Sequence, residues 1–352
     1  LSLPDAQEKV RLVAVVDTVA ERAAATATRF GVPTWFTSIE EMLAKADVDL
    51  VLILTPIPYH YANALAAIEA GKHVYVQKAM TTTLAEADAL LTARDRMNVK
   101  LAAAPGFTLF PSTAHMQRLV DEGALGRVSV GFSYTWGFGH EFEAIRTGQG
   151  ALAEIDPTWY YRPGAGPLPD VTVYGLQLAT SILGAVRRVT ALANKTTEMR
   201  SWQGKRVPVA TPDNNLVLME FAGGALVTAI GSNLRGSPTI PWGGLGLYGT
   251  EGVLEVTAVD GASGYPLAFT LASGAKSEHV SYQLTDQPYL VGEHLRLEEP
   301  HTYCDIMDLV DAILADRPPL ATGEQARHVV EIIEAAQRAA STGQTQTLTS
   351  TF

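Results

Sequence analysis

DLVLILTPIPYHYANALAAIEAGKHVYVQKAM, residues 49–80, is the stretch whose reading decides the fold. DLVLILTP is a nearly continuous apolar run closed by Thr55-Pro56, as expected of a strand buried on both faces. HYANALAAIEAG follows as a helix with Gly71 at its C-terminal stop, and HVYVQKAM returns as a second strand. Strand and helix in strict alternation are the signature of a parallel, doubly wound sheet.

The alternation extends in both directions. Upstream, VRLVAVVD (10–17) reads as another doubly buried strand ending in an acid, and VAERAAATATRF as a helix with Gly31 just past its end. Ser38 and Glu41 form a capping box for IEEMLAKA. Downstream, Thr83 and Glu86 cap TLAEADALLTARDRM, and KLAAAPGF is a strand. Past about residue 125 the texture changes. RVSVGFSYTWG, NNLVLMEFA, ALVTAIGSN and GLGLYGTEGVLEV are strands meeting at glycine-rich turns, the pattern of an antiparallel sheet. The helix VYGLQLATSILG interrupts it, and HTYCDIMDLVDAILAD and GEQARHVVEIIEAAQRAA, the latter capped by Thr322 with Gln325, close the chain. The expected architecture is a Rossmann-type nucleotide-binding domain over residues 1–110, then an α+β domain with a large, mainly antiparallel open sheet over 111–352. An open sheet with an uncovered face predicts a homodimer or homotetramer through that sheet.

Bulk composition narrows the function. A formal charge of −11, with 26 Lys+Arg against 37 Asp+Glu and no basic cluster, argues against a nucleic-acid partner. Apolar runs such as Leu50 to Leu54 are far too short to span a bilayer, so no membrane is expected. The single cysteine, Cys304, excludes an internal disulfide and a cysteine-rich metal site; no metal is predicted, and a cytoplasmic location fits. Its setting on a helix face points to a buried structural thiol.

GLGLYGTEG, residues 244–252, spells G-x-G-x-x-G, but the residues after it are β-rich rather than helical. A phosphate-gripping loop needs a strand before it and a helix after it, so this match reads as a hairpin. Asp17, ending VRLVAVVD, stands where an acid accepts from ribose hydroxyls, about 20 residues beyond a glycine loop. The expected loop and first strand would therefore precede residue 1; the bland alternative for Asp17 is a turn or helix-capping acid. No arginine immediately follows Asp17, which favours NAD over NADP as the cofactor. Thr55, Pro56 and His60 lie at the carboxyl end of a strand, where ligands bind in such sheets. His60 is equally readable as a helix N-terminal surface residue. Lys78 ends the next strand, either at the ligand crevice or as a snorkelling exit-loop lysine.

With these residues in place, the chain resembles the Gfo/Idh/MocA oxidoreductases. VVDTVAERA, TPIPYHYANALAAIEAGKHVYVQKAM, LVDEGALGRV, DPTWYYRPGAGPLPDVTVYGLQLATSILG and YGTEGVLEV fall in the family's order, with a terminal STF. The resemblance implies an N-terminal Rossmann domain, a C-terminal domain with a broad antiparallel sheet, and NAD(P)-dependent oxidation or reduction of sugars, inositols and similar polyols. The family's E-K-P motif matches Gln77-Lys78-Ala79, where only the lysine survives. Its D-x-G-x-H motif matches Asp170 to Tyr174, with Thr172 for glycine and Tyr174 for histidine, and Gln177 stands where an acid is often found. A cis bond before a residue other than proline is disfavoured, so the turn aiming Lys78 is expected to differ. Gln77 removes a possible carboxylate partner of the lysine.

Hydride transfer at an alcohol carbon requires a proton to leave the hydroxyl. Tyrosine's ordinary pKa of about 10 is too high for a base at neutral pH, but a nearby ammonium lowers it. The expected catalytic set is Tyr174 relaying the proton, Lys78 stabilising the developing oxyanion, and Asp170 accepting a substrate hydroxyl. Expected substrate contacts are Trp159 and Tyr161, whose rings suit sugar C–H faces, Arg162 for a carboxylated substrate, and Gln177. For the aromatics a core or oligomer contact is the competing reading. A redox-silent relative, a binding or assembly subunit or a lyase-like enzyme, is the rival function, motivated by the altered Gln77-Lys78-Ala79 motif.

Overall fold

The computed structural model describes residues 1–143, 155–234, 242–258, 266–297 and 299–352. After a helical turn α1 (Pro4–Gln7), the chain alternates β1 (Ala14–Val16), α2 (Ala20–Phe30), β2 (Thr34–Phe36), α3 (Ile39–Lys45), β3 (Leu50–Ile53), α4 (His60–Glu69), β4 (His73–Val76), α5 (Leu84–Met97) and β5 (Leu101–Ala103). The start and stop signals act as their chemistry dictates. Ser38 Oγ accepts from Glu41 N at 3.1 Å, and Thr83 with Glu86 makes a reciprocal capping box. Gly31 and Gly71 adopt φ of 64° and 74°, left-handed conformations that end α2 and the helix before β4.

All pairings in this part are parallel, but they form two sheets among the described residues: β1 with β2, and β3-β4-β5. The strand expected over 10–17 is only Ala14–Val16, and it is not buried on both faces. β1 pairs on one side only, so Val16 at its end is exposed. Val13, Ala14 and Phe36 nonetheless pack against the apolar cluster of β3, β4, α4 and α5, which joins the two sheets around one core.

The second part contains α6 (Pro111–Asp121), β6 (Val128–Trp136), α7 (Val173–Leu183), β7 (Val186–Asn194), β8 (Met199–Trp202), β9 (Lys205–Pro208), β10 (Asn214–Phe221), β11 (Leu226–Ser232), β12 (Gly244–Gly249), β13 (Val253–Ala258), β14 (Ala268–Ser273), β15 (Lys276–Ser281), α8 (Pro300–Leu314), α9 (Gly323–Thr342) and β16 (Gln346–Thr347). Nine strands form one sheet in the order β15-β14-β13-β12-β6-β11-β10-β7-β16. The β11–β6 pair is parallel and the others are antiparallel, which makes the sheet mainly antiparallel as the sequence indicated. GLGLYG is β12, turning at Gly249 and Gly252 into β13, so the glycine match is a hairpin.

Helix α7 lies on the inner face of this sheet. It approaches so closely that a Cβ on Gly175 would sit 2.3 Å from Ser133 Oγ. A Cβ on Gly231 of β11 would meet Thr172 Oγ1 at 1.7 Å. Glycine at both places lets the start of α7 sit directly on the strands.

The two C-terminal helices cross back over the boundary that the sequence suggested near residue 110. Ala103 N donates to Ala321 O at 3.1 Å, and Ala326 and Val330 of α9 join the first core. On its other side α9 packs on α7, where Gln325 Nε2 donates to Ser181 Oγ at 2.9 Å and Thr180 Oγ1 at 3.1 Å. A helix buried between both parts fixes how strand β4 stands relative to α7, and hence how the site closes.

Candidate active site

Lys78 lies just past the end of β4, after Gln77. The Lys78–Ala79 peptide is cis, the form that the sequence reading counts as disfavoured. Gln77 Oε1 accepts from Lys78 N at 3.1 Å, while its Nε2 donates to Thr302 Oγ1 of α8 at 3.1 Å. Beneath them Tyr75 Oη donates to Asp305 Oδ2 of α8 at 3.2 Å. Gln77 thus serves as a two-sided hydrogen-bond link, and the carboxylate facing the lysine comes from the second part of the molecule.

That carboxylate is Asp170, in the wide helical turn Leu168–Thr172 that leads into α7. Lys78 Nζ lies 3.4 Å from Asp170 Oδ1 and 5.5 Å from the centroid of the Tyr174 ring. Lys78, Asp170 and Tyr174, distant in sequence, therefore converge. Tyr174 is further enclosed by Trp242, Phe107 and His301, with ring centroids at 4.9, 5.9 and 5.7 Å.

Burial and charge set the protonation states. Burial disfavours the Lys78 ammonium, but the negative charge of Asp170 and Glu299 helps to outweigh it, and the pKa is held well above the ordinary lysine value. Burial likewise opposes ionisation of Asp170, yet His140 and Lys78 bring its pKa down to about 2. For Tyr174 burial wins: the phenol is pushed far up, and the nearby ammonium offsets only part of that. The expectation that Lys78 would draw Tyr174 toward phenolate is therefore corrected; in this cleft Tyr174 rests as a proton donor. His301 is kept neutral by burial, its pKa lowered to about 4.

His140 belongs to this cluster and was not anticipated. Its Nε2 lies 2.7 Å from Asp170 Oδ2 and its Nδ1 2.6 Å from Glu143 Oε1. The ring stacks on Tyr160 with centroids 3.4 Å apart, and Tyr160 stacks on Trp159 at 3.7 Å. The only signal in the sequence was the aromatic run before the Asp170 turn, which named Trp159 and Tyr161 but passed over the residue between them.

Other expected contacts are placed differently. Tyr161 is buried against Trp202, Val207 and Val209, with its hydroxyl bonded to Glu141 and Arg200 over its ring, so it is a core residue and presents no sugar-binding face. Arg162 is exposed and reaches Thr158 Oγ1 at 3.4 Å. Gln177 is buried one turn beyond Tyr174, and its backbone carbonyl accepts from Ser181 Oγ at 2.8 Å. His60, 0% exposed, is not a surface or ligand-facing residue: Nδ1 is 2.8 Å from Ala79 O and Nε2 2.6 Å from Thr55 O. It ties the end of β3 to the turn that carries Lys78.

At the carboxyl edge of the parallel strands, Asp17 takes Val19 N at 2.8 Å, so it does cap the turn. Its carboxylate is also gripped by Arg22, Nε to Oδ2 at 2.8 Å and Nη2 to Oδ1 at 2.9 Å. The expectation from sequence looked for an arginine beside Asp17; the one that reaches it is five residues on, in the first turn of α2. Thr55 Oγ1 accepts from Asn63 Nδ2 at 3.4 Å, and Pro56 begins the turn into α4. Val16, Val19, Leu54 and Tyr59 are exposed along the same edge. A carboxylate, a hydroxyl and uncovered apolar walls fit the ribose and ring ends of a dinucleotide. Among the described residues no glycine-rich turn stands at this edge, and no group of His, Cys, Asp and Glu is arranged to hold a metal.

Parallel strands are joined to a broad sheet whose inner helix brings a second set of polar groups to the end of β4. Residues 2–104 match the oxidoreductase family with an NAD-binding Rossmann fold, and residues 113–255 match the GFO/IDH/MocA C-terminal domain. The chain belongs to the Gfo/Idh/MocA oxidoreductase family. It is similar to levoglucosan dehydrogenase of Pseudarthrobacter phenanthrenivorans, 26% identical over 227 residues covering 58% of this chain and 55% of the relative. To 1,5-anhydro-D-fructose reductase of Ensifer adhaerens it is 37% identical over 118 residues, 33% of this chain and 35% of the relative. The chain thus spans about half the length, or less, of these curated relatives. A solved levoglucosan dehydrogenase in complex with NADH and L-sorbose shares the fold with a TM-score of 0.79, covering 96% of this chain and 90% of that one at 19% identity. No helix among the described residues is long and apolar enough to cross a membrane.

Proposed function

We propose that the cleft between β4 and α7 carries out NAD(P)-dependent oxidation or reduction at a hydroxyl-bearing carbon of a sugar or polyol. The observation that carries this reading is the meeting of Lys78 with Asp170 and Tyr174 beside the strand ends that fit the dinucleotide. The relatives named for sugar-like substrates support it. When bound there, the nicotinamide supplies or accepts the hydride.

The residues of the chain do the rest. Asp170, ionised and buried, accepts a hydrogen bond from a hydroxyl next to the reacting carbon and fixes the sugar's register. Lys78 Nζ keeps its positive charge near the oxygen on which negative charge develops, where the dry surroundings strengthen the interaction. Tyr174 Oη holds a proton that it gives to that oxygen in the reducing direction. In the oxidising direction a proton has to leave Lys78 Nζ or Tyr174 Oη, so higher pH favours it. Tyr160 is sandwiched between His140 and Trp159, so the face offered to sugar C–H groups at the outer end of the cluster is the far side of Trp159.

A panel of sugars and inositols, assayed with NAD and NADP by nicotinamide absorbance, tests the reading. Turnover that falls roughly tenfold or more in Tyr174→Phe is expected, within the reach of one acid–base group. Dinucleotide binding without turnover of any sugar would favour a redox-silent binding protein instead.

The outer face of the large sheet fits a second copy of this chain. Leu192, Leu216 and Ile230 lie side by side across β7, β10 and β11, Leu226 pairs with Val130, and the leucines and Val130 are exposed. Such a contiguous apolar face is characteristic of a contact surface.

A further inference from the structure

Asp170 has a closer partner than the lysine. His140 Nε2 stands 2.7 Å from Asp170 Oδ2, whereas Lys78 Nζ is 3.4 Å from Oδ1. The other imidazole nitrogen, Nδ1, is 2.6 Å from Glu143 Oε1, and the ring lies flat on Tyr160. A neutral imidazole offers one N–H and no charge. Nδ1 hydrogen-bonds Glu143, whereas Nε2 makes a close ionic contact with Asp170 without hydrogen-bond alignment, and only a ring carrying both protons gives that contact an attractive charge.

A carboxylate as buried as Asp170 needs opposite charge and hydrogen bonds to remain ionised. If Lys78 were its only cation, the pair would be expected to close to about 2.7–2.9 Å. The ammonium would then be committed to the carboxylate and turned away from a reacting oxygen. His140 removes that conflict by taking the far oxygen.

We propose that His140 is a positioning residue of the reaction: held as an imidazolium between Asp170 and Glu143, it neutralises Asp170 through Oδ2, leaving Oδ1 for a substrate hydroxyl and the Lys78 ammonium for the reacting oxygen. Its kinetic arm rests on the hydride-transfer reading given above; its electrostatic arm does not. No bond to substrate forms or breaks at His140.

Among the described residues, the groups around the ring are Asp170 from the turn before α7, Glu143 on its own turn, the phenols of Tyr160 and Tyr161, and Lys78 beyond Asp170. Glu141, the next acid along, is occupied by Arg200 at 3.0 Å and by the Tyr161 hydroxyl. Burial works against the charged ring, and Asp170 and Glu143 overcome it, raising its pKa to about 9.

Proton–carbon NMR of the imidazole, titrated in the full chain and in Asp170→Asn, tests the electrostatic arm. The expected midpoint is near pH 9 in the unaltered protein and falls toward the ordinary histidine value of about 6.5 in Asp170→Asn. A midpoint near the ordinary value in the unaltered protein, or the same midpoint in both, overturns the proposal. For the kinetic arm, His140→Gln is expected to lower kcat about tenfold or more and to abolish an alkaline limb near pH 9, with KM for the dinucleotide kept. His140→Lys, which restores a cation, recovers part of kcat. Wild-type kcat and pH profile in His140→Gln would also overturn it. Should His140→Gln fail to fold, the midpoint in the unaltered protein decides. Absence of any sugar turnover in that protein would instead defeat the hydride-transfer reading, leaving the titration to judge His140.

Discussion

At the carboxyl edge of β1 and β3, Asp17 and Arg22 keep 30% and 23% of their side chains exposed; past the end of β4, Asp170 facing Lys78 keeps 4%. Both places hold an acid facing a base at hydrogen-bonding range, yet the two pairs have different physical weight. Around Asp17, solvent reaches the half-buried pair and screens its charges, and a screened ion pair contributes about 0–1 kcal/mol. Around Asp170, the Lys78 and His140 side chains share a largely buried site, so the removal of any one group leaves uncompensated buried charge. Buried charge suits stabilising an oxygen whose charge appears only during reaction.

The largest effect expected from breaking this contrast is on turnover. Lys78→Met should lower kcat/KM by roughly a hundredfold or more, the range of a lost acid–base or oxyanion contact, while dinucleotide binding measured by fluorescence changes little. Comparable losses in binding and turnover would mean that Lys78 grips the cofactor and does not act at the reacting oxygen.

Stability comes next. Asp170→Ala leaves Lys78 and His140 buried together without their carboxylate, and urea unfolding should show a loss of about 3–5 kcal/mol. Its pH dependence comes from the shifts in the cluster. His140, raised to about 9, stabilises the fold fully below its ordinary value near 6.5, and that contribution is lost as pH rises through 9. Asp170, lowered to about 2, stabilises above the ordinary carboxylate value, and its contribution disappears as pH falls toward 2. Asp170→Asn should flatten both limbs of the stability profile; an unchanged alkaline limb would assign it to another group.

The smallest effect is at the open edge. Arg22→Ala should leave stability within about 1 kcal/mol, as for other exposed pairs, and shift the ratio of NADP to NAD affinity a few-fold toward NAD. An arginine that can leave Asp17 for a 2′-phosphate loses that option when removed. An unchanged ratio would confine Arg22 to bracing the turn.

How much of this was legible beforehand depended on the range of the interaction. Helix limits were readable because caps act over three or four residues, as at Ser38, Thr83 and Thr322. The misread strand over 10–17 and the misplaced Tyr161 share a cause. Apolar or aromatic residues announce burial or contact without naming the neighbour, and the neighbour decides between core, edge and ligand. His60 illustrates the same point: its position beyond a strand end pointed to a ligand, but Thr55 and Ala79 carbonyls claim both nitrogens.

The sequence alone determined the alternation of strand and helix and the broad antiparallel sheet, and the resemblance to the family's motifs named Lys78, Asp170 and Tyr174 as candidates, because periodicity and short motifs are local properties. Only the tertiary structure decided that Gln77 links Lys78 to α8, that His140 stands against Asp170, and that burial keeps Tyr174 protonated. Those outcomes depend on desolvation and on distances between groups far apart in the chain, and neither exists until α8 and α9 have packed the two parts together.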